Sequence, residues 1–265
     1  MEEFETNKLI ADIISSNVES LYNTAKSFII DKNNQLKARL RSTFTDYIKS
    51  IERKYSSTKT IIYRDTPQSI KGFYEPIDLF NDNLNISKPQ ITDLLKLKKP
   101  IIITGTGGSG KSTFLKYLLL DTIQNNKIIP IFVELRNVEQ EQLSIIEYIH
   151  KNLQLKSVDL DSTYLDQALK NGSFLFLLDG FDELSPKYSK NLSKEIDDIS
   201  QKFQKCTFIV TSRPGHEFIS WSNFIELKTK PLTQEKAISL VKRLNFDAEI
   251  KDNFIAELKK DLYNT

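Results

Sequence analysis

The chain has 265 residues, of which 39% are hydrophobic and 27% charged, and its 37 basic and 35 acidic residues leave a net charge of +2. This balance excludes a strong overall attraction to nucleic acid or to an anionic membrane, and no apolar run approaches the roughly 20 residues that span a bilayer. The polar residues 1–6 are unlike a secretory signal, and the single cysteine, Cys206, falls within a predicted core strand. We therefore expect a globular cytoplasmic protein with no membrane partner.

The N-terminal region carries two helical patterns. Apolar residues recur at helical spacing over residues 9–28 and again over 36–55, and the polar stretch 31–34 separates them. Each pattern has one apolar stripe, which predicts a helical hairpin within residues 1–57. The second helix is mildly basic, but no aromatic platform or glycine interleaves with its charges, which favours a solvated face over a nucleic-acid contact.

Residues 58–85 are predicted to form a connector with short strands. Within it, residues 60–63 are β-prone, residues 65–67 form a turn, and residues 73–76 are a second short extended piece. A short helix over residues 91–97 then leads into an apolar run.

That apolar run, residues 100–104, precedes a glycine-rich stretch at 105–112 and a helical pattern that begins near Lys111. A strand, a glycine turn and a helix in this order form a phosphate cradle, because glycines let backbone N–H groups point inward and the helix adds its positive dipole end. Lys111 supplies a mobile charge for the β- and γ-phosphates, and the Ser112 hydroxyl is placed to ligate Mg²⁺. The predicted ligand is a nucleoside triphosphate, and the connector is expected to lie against its base or ribose. The predicted binding residues are Gly105, Thr106, Gly107, Gly108, Ser109, Gly110, Lys111, Ser112 and Thr113.

A dinucleotide-binding turn is the alternative for this stretch. Gly105, Gly107 and Gly110 also match the spacing G-x-G-x-x-G, and Glu134 at the end of the next predicted strand could contact a ribose. Such a turn gives no role to Lys111 and Ser112, so the triphosphate interpretation is favoured.

Carboxylates follow the next buried strand. Five apolar residues, 174–178, predict a strand buried on both faces, and Asp179 comes at its carboxyl end, where open α/β sheets bind ligands. Asp179 is therefore placed to hold Mg²⁺, directly or through water. Asp182 and Glu183 could polarise an attacking water, although either could instead cap the helix that follows.

A further buried strand, within residues 206–212, ends at Arg213. An arginine at the carboxyl tip of a strand can reach a γ-phosphate, whereas the alternative is an ordinary surface arginine. Strands at 127–135 and 224–227, and helices at 144–153, 164–170, 189–203, from 233 onward and at 248–262, complete the chain. The alternation of strands and helices predicts an α/β fold, a three-layer sandwich with a mainly parallel five-stranded sheet, preceded by the helical hairpin.

These motifs resemble a known family. The chain is similar at three motifs to the NACHT subgroup of the STAND ATPases: residues 105–113, residues 174–183 with the sequence Asp179-Gly-Phe-Asp-Glu, and residues 211–214. These ATPases are P-loop NTPases related to AAA+ proteins, and they occur in bacterial antiviral and animal innate-immune receptors. The resemblance covers about residues 60–250. It implies ATP or ADP with Mg²⁺ as ligands, Lys111, Ser112 and Asp179 as triphosphate and metal ligands, Asp182 and Glu183 as the hydrolytic pair, and Arg213 as a sensor arginine. It also implies that the Arg213 strand lies between the strands that end at the glycine loop and at Asp179.

The family resemblance suggests a division of the chain. We expect the nucleotide-binding domain at residues 86–230 and the start of a helical subdomain at residues 231–265, because residues 231–235 resemble the entry to that subdomain. Family members continue into further domains that hold ADP and sense a ligand. The sequence is therefore expected to be a fragment or a truncated product.

Three functions are compatible with these motifs. The resemblance favours a slowly hydrolysing ATPase that acts as a nucleotide-controlled switch, self-associates through the NACHT domain and signals in defence. A small-molecule phosphotransferase is the first alternative, although no cluster of substrate-binding arginines is visible. A nucleotide-binding scaffold without turnover is the second. Nucleic acid is not expected as a partner.

Overall fold

The computed structural model describes residues 34–59, 66–125, 128–153, 169–172, 174–215, 218, 221–244 and 246–262. A glycine-rich loop separates β5 from α4, and a 3₁₀ turn, Phe181–Glu183, follows β7. The helices and strands are α1 (Asn34–Tyr55), β1 (Ser57–Thr58), β2 (Gln68–Ser69), α2 (Ile70–Phe73), β3 (Leu79–Phe80), β4 (Asn85–Ile86), α3 (Ile91–Leu95), β5 (Ile101–Thr104), α4 (Lys111–Asn125), β6 (Ile129–Glu134), α5 (Leu135–Glu141), α6 (Ile145–Asn152), β7 (Phe174–Asp179), α7 (Pro186–Lys202), β8 (Thr207–Ser212), β9 (Ile225–Thr229), α8 (Gln234–Arg243) and α9 (Ala248–Glu257).

The main sheet has the strand order β4-β3-β9-β5-β8-β7-β6. The five strands from β9 to β6 are parallel, so the predicted fold class is confirmed. The strand order also agrees with the family resemblance, because β8 lies between β5 and β7. The predicted count of five strands was too low: β3 and β4 from the connector join β9 in antiparallel fashion and bring the sheet to seven strands. Each of the two has only two residues, too few to show an alternating pattern in the sequence.

The parallel strands are buried on both faces. In β7, none of the five side chains before Asp179 is more than 1% exposed, and Phe176 stacks on Phe208 of β8 with ring centroids 4.5 Å apart. Since successive residues of a strand point to opposite faces, helices must cover both sides of the sheet. Helix α4 packs against β6, β7 and β8 and buries Phe114 completely. Each such side chain contributes roughly 1.5–3 kcal/mol to folding, and together they fix the ends of the strands.

Helix α1 packs against the edge strand β6. The backbone N–H of Phe132 donates to the Tyr47 hydroxyl over 3.3 Å, and the Tyr55 ring lies 4.3 Å from the Phe132 ring. The contact supplies a partner to an amide at the sheet edge. The second predicted N-terminal helix is thus confirmed, whereas the first, at residues 9–28, lies outside the described residues, as do most of the helix predicted at 164–170 and the β-prone residues 60–63.

Several local predictions need correction. The extended piece predicted at residues 73–76 begins one residue too early, because Phe73 is the last residue of the short helix α2. Tyr74 has the expected extended backbone, but residues 74–76 do not join a strand. Helix α5 starts immediately after β6 and was not predicted. Helix α8 begins as expected after Thr233, whose hydroxyl accepts from the backbone N–H of Lys236 over 3.3 Å. No helix among the described residues is both long enough and apolar enough to cross a bilayer.

Candidate functional site

The glycine-rich loop connects the end of β5 to the start of α4. Gly110 has φ of 85°, in the left-handed region that a side chain disfavours, and the carbonyl of Gly110 accepts the first helical hydrogen bond from Phe114 over 2.8 Å. At Gly105 the restriction is space, since a Cβ there would overlap the Thr229 hydroxyl of β9 and come within 2.6 Å of the Ser109 hydroxyl. The loop therefore needs glycine for two different reasons, backbone angle and close approach.

Lys111 lies in the first turn of α4 and points back into the loop. Its Nζ donates to the carbonyls of Gly105 over 2.7 Å and Thr106 over 3.0 Å. Burial lowers the pKa of Lys111; the nearby carboxylate of Asp182 opposes this shift, and the positive charge of Arg213 adds to it. The ammonium group of Lys111 is thus held within the loop, near Asp182 and Arg213, which the sequence analysis predicted to belong to the same site.

Ser112, in the first turn of α4, contacts Asp179 at the carboxyl end of β7. The Ser112 hydroxyl donates to Oδ1 of Asp179 over 3.0 Å, and the Thr211 hydroxyl donates to the same oxygen over 2.6 Å. Burial raises the pKa of the Asp179 carboxyl, which these two hydrogen bonds and the charge of Lys116 offset only in part. Thr211 was not predicted as a site residue. The sequence did indicate it, because Thr211 is a polar residue two positions before Arg213, at the end of a strand that is adjacent to β7.

Asp182 and Arg213 form one closely bonded pair. One carboxylate oxygen of Asp182 accepts from the backbone N–H of Arg213 over 3.0 Å, and the other is 2.9 Å from Nε of the same residue. The Asp182 side chain is only 10% exposed, whereas that of Arg213 is 64% exposed. A Cβ added to Gly107 would be 3.7 Å from the guanidinium carbon, so Arg213 lies directly against the glycine-rich loop.

Glu183 is less constrained than its neighbour. Its side chain is 48% exposed, and a carboxylate oxygen lies 3.8 Å from the guanidinium of Arg136, which follows β6. Gly180, which precedes the 3₁₀ turn, has φ of 80°, and its N–H donates to the Thr211 hydroxyl over 2.9 Å. Neither acidic residue caps α7: that helix starts at Pro186 after Ser185, so the alternative of a simple helix cap is not supported.

A cavity of about 630 Å³ adjoins the loop. The loop and Pro214 form one wall, while the connector and the segment leading into α8 form the other. The connector was expected to lie near the base or ribose of a ligand, and it does line the cavity, but the contribution of α8 was not predicted. The residues on the second wall are Phe73, Tyr74, Glu75, Ile77, Phe80, Lys228, Thr229, Lys230, Pro231, Leu232 and Leu240.

The strand order decides against the dinucleotide alternative. In a dinucleotide-binding fold the second strand lies next to the first, so that its acidic tip faces the glycine turn. Here β8 and β7 separate β5 from β6, and Glu134 instead lies beside Asp179 in the register of β6 and β7. Glu134 accepts a hydrogen bond from Asn137 over 2.8 Å and is too far across the sheet to serve the loop.

Comparison with known proteins found one matching family and several similar structures. A family model described as the NACHT domain matches residues 99–248, whereas a search of curated proteins found no match. Among solved structures, domain III of the replication initiation protein DnaA from Thermotoga maritima is similar at 13% identity over 65% of this chain and 76% of that chain, with a TM-score of 0.44. AMPPCP-bound DnaA from Aquifex aeolicus is similar at 18% identity over 63% and 54%, with a TM-score of 0.40. C. elegans PCH-2 is similar at 12% identity over 83% and 49%, with a TM-score of 0.37.

The chain spans about half the length of the last two structures. The NACHT match covers more than half of the chain and includes the glycine-rich loop, Asp179 and Arg213. This protein belongs to the NACHT domain family and has the α/β fold of a P-loop NTPase.

Proposed function

We propose that the cavity beside the glycine-rich loop binds ATP with Mg²⁺ and that the domain hydrolyses it slowly. One observation carries the proposal: the hydroxyl of Ser112 and the carboxylate of Asp179, 67 positions apart in the chain, lie 3.0 Å apart at the carboxyl end of the sheet. A hydroxyl and a carboxylate are oxygen ligands of the kind that Mg²⁺ prefers. The carboxyl ends of the strands are also where α/β sheets bind ligands.

The described residues fit such a ligand. The cavity volume of about 630 Å³ lies within the range of small-molecule sites, roughly 300–1,000 Å³. The Ser109 hydroxyl is buried in the loop and makes no hydrogen bond to a described group, so a phosphate that drew it out of the loop would satisfy it. Burial disfavours the ionised form of Asp179, and a cation beside it would relieve that penalty. Bound Mg²⁺ would supply positive charge to phosphate oxygens.

We assign the phosphate-binding role to the backbone and side chains of residues 105–113, with Lys111 as the main charge. In this proposal Lys111 leaves the loop carbonyls that it now contacts and turns to the phosphates. Arg213 lies against Gly107 and is held there by Asp182. We therefore assign Arg213 the role of binding the γ-phosphate, which distinguishes ATP from ADP.

The acidic pair divides into two roles. Asp182 has one oxygen on the Arg213 amide and the other on its guanidinium, so it positions the arginine. Glu183 is half-exposed and its nearest cation is 3.8 Å away, which leaves it able to accept a proton from water. We therefore propose Glu183 as the general base.

The biological role rests on the family resemblance. We propose that nucleotide state controls self-association of the NACHT domain, and that the protein signals in antiviral or innate-immune defence in the cytoplasm. The physical requirement is differential affinity: the γ-phosphate shifts the equilibrium only if Lys111 and Arg213 contact it in one conformation more than in the other.

Calorimetry with Mg-ATP and a phosphate-release assay test the proposal. Lys111→Ala should abolish measurable ATP binding, whereas Lys190→Ala, at an exposed lysine of α7, should bind as the wild type does. Glu183→Gln should bind ATP and release phosphate at least about 100-fold more slowly. Normal ATP affinity in Lys111→Ala would refute the assigned site, and an unchanged rate in Glu183→Gln would move the base to Asp182.

The same assay separates the alternatives. Phosphate release with ATP alone indicates a hydrolase, and transfer that requires an added acceptor indicates a phosphotransferase. Binding without turnover under both conditions indicates a scaffold. Light scattering with ATP and with ADP would show whether self-association follows the nucleotide.

A further inference from the structure

A second cleft, of about 610 Å³, lies at the opposite end of the sheet from the glycine-rich loop. Its walls come from the residues just before β5, the end of α7, the start of β8 and the turn that precedes β9. Because the strands are parallel, these segments mark their amino ends, and the phosphate loop lies at their carboxyl ends. We call this feature the lysine cleft, after Lys98, Lys99 and Lys205 in its lining.

The lining is cationic. The three lysines are the charged residues among the described lining residues, and none of the described lining residues is acidic. No ion pair joins Lys98, Lys99 or Lys205 to a described carboxylate, whereas nearby Lys96 is paired with Asp93 at 3.0 Å. Amide and hydroxyl groups from Gln201, Gln204 and Ser222, among others, supply additional hydrogen-bonding groups.

The walls of the lysine cleft are fixed by contacts of their own. The Pro100 carbonyl accepts from the backbone N–H of Ile225 over 2.8 Å, which ties the β5 side to the β9 side. A Cβ at Gly172 would come within 2.6 Å of the backbone of Lys205, so the chain is closely packed behind that lysine. Lys98 has φ of 52°, a left-handed conformation that is common just after a helix, and its N–H donates to the Leu95 carbonyl over 3.2 Å, which fixes this turn.

The turn before β9 is anchored by Trp221. Its indole N–H donates to the Ser193 hydroxyl over 2.9 Å, and its ring lies 4.7 Å from that of Phe224. Trp221 is 2% exposed and directly precedes Ser222, a lining residue. Since it is the single tryptophan of the chain, its emission reports on this turn.

We propose that the lysine cleft is a second ligand site and that it binds a compact anion bearing two or more phosphate groups. Three lysines that line one cleft offer several positive charges to an anion. Lysine binds phosphate as a point charge without the planar geometry that arginine imposes. A nucleic-acid strand is disfavoured, because base stacking needs exposed aromatic rings and the described lining has none. The site is independent of the phosphate loop.

Titration of the Lys111→Ala protein with inorganic pyrophosphate, without Mg²⁺, tests the proposal while the loop site is disabled. We expect saturable binding by calorimetry and a parallel change in Trp221 emission. The double variant Lys98→Glu/Lys205→Glu in the same background should weaken binding at least about tenfold, since each charge-assisted hydrogen bond to phosphate contributes substantially. The matched variant Lys190→Glu changes an exposed lysine of α7 outside the cleft and should leave binding unchanged. Thermal unfolding confirms that each variant is folded.

Three results would overturn the proposal. They are no saturable binding of pyrophosphate, an equal loss in Lys190→Glu, and tighter binding of a single-stranded oligonucleotide than of pyrophosphate, which would assign the surface to nucleic acid. Parallel titrations with ADP and with pyrophosphate distinguish a nucleotide ligand from a free polyphosphate, and lysine-dependent binding of either supports the site.

Discussion

The glycine-rich loop and helix α8 lie on opposite walls of the cavity and are held by different forces. Behind the loop wall, Ile101, Ile103 and Phe114 are fully buried in the apolar core. The opposite wall includes α8, in which all ten residues remain at least partly exposed. Apolar burial is non-directional and depends on the whole core, which also includes Tyr74 and Ile77 of the connector. Helix α8 contributes no fully buried residue to that core, so it depends more on a few polar contacts.

Those polar contacts form an ionic clamp between α8 and the connector, made of Arg243 with Glu75 at 3.3 Å and Lys236 with Asp78 at 2.7 Å. Arg243 also donates to the carbonyl of Tyr74 over 2.6 Å, and the Glu75 carboxylate, only 6% exposed, accepts from a serine hydroxyl of α8. The comparison indicates that the loop wall is part of the global folding unit. We expect α8 to open locally, since its polar contacts can be exchanged for water and salt.

Breaking the loop wall should have the largest effect. Phe114→Ala leaves a cavity beneath the loop and should lower the free energy of unfolding by about 3–5 kcal/mol. Urea denaturation with a single transition would measure it, and Phe114→Leu, which keeps most of the volume, should cost clearly less. If Phe114→Ala loosened α8 alone and left the global transition in place, the proposed division between the walls would be wrong.

Breaking the clamp should have a smaller and more local effect. Arg243→Ala leaves the Glu75 carboxylate buried without its arginine, and we expect a loss of about 2 kcal/mol, below the 3–5 kcal/mol of fully buried pairs because Arg243 is 42% exposed. Hydrogen exchange should accelerate in α8 but not in α4. Lys242→Ala, the neighbouring exposed residue, serves as the control. Uniform acceleration across the sheet would show that α8 does not open as a separate unit.

Removing the charge of Asp179, beside Ser112, should stabilise the ligand-free protein. Burial raises the pKa of Asp179, so the stability linked to its protonated form is present at low pH and lost as the pH rises through the folded-state pKa. At neutral pH the ionised carboxylate therefore opposes folding. Asp179→Asn keeps an oxygen for the Ser112 and Thr211 hydroxyls and should raise the Tm by a few degrees while eliminating Mg²⁺-dependent ATP binding. A lower Tm would mean that the carboxylate is structural.

The pH dependence of the clamp should be the smallest effect. Burial opposes ionisation of Asp78, but hydrogen bonds from Lys236, the Lys88 amide and Ser87 outweigh it and lower the pKa below the ordinary 3.8. The contribution of Asp78 should therefore be complete above about pH 5 and be lost as the pH falls through the folded-state pKa. The difference in unfolding free energy between wild type and Asp78→Asn should stay constant from pH 7 to about pH 5 and shrink as the pH is lowered further. A difference that stays constant below about pH 5 would contradict the ion pair with Lys236.

The sequence by itself determined the main part of the fold. Apolar runs ending in polar residues at Thr104, Asp179 and Arg213 predicted parallel strands, and the carboxyl ends of parallel strands share one edge of a sheet. The meeting of Ser112 with Asp179 follows from that rule, because each residue is fixed by its own local pattern. The glycine loop was equally local, since its turn and the start of its helix lie within the nine residues 105–113.

Other features were decided by tertiary structure alone. The two connector strands have two residues each, and the ionic clamp joins residues more than 150 positions apart, so no short-range periodicity announces them. The pairing of Asp182 with Arg213, and the presence of three lysines in one cleft at the far end of the sheet, depend on which chain segments become neighbours. Local patterns encode the type of each element, because they reflect backbone geometry and burial within a few residues. Contacts between distant polar side chains carry no such period, so only the folded chain reveals them.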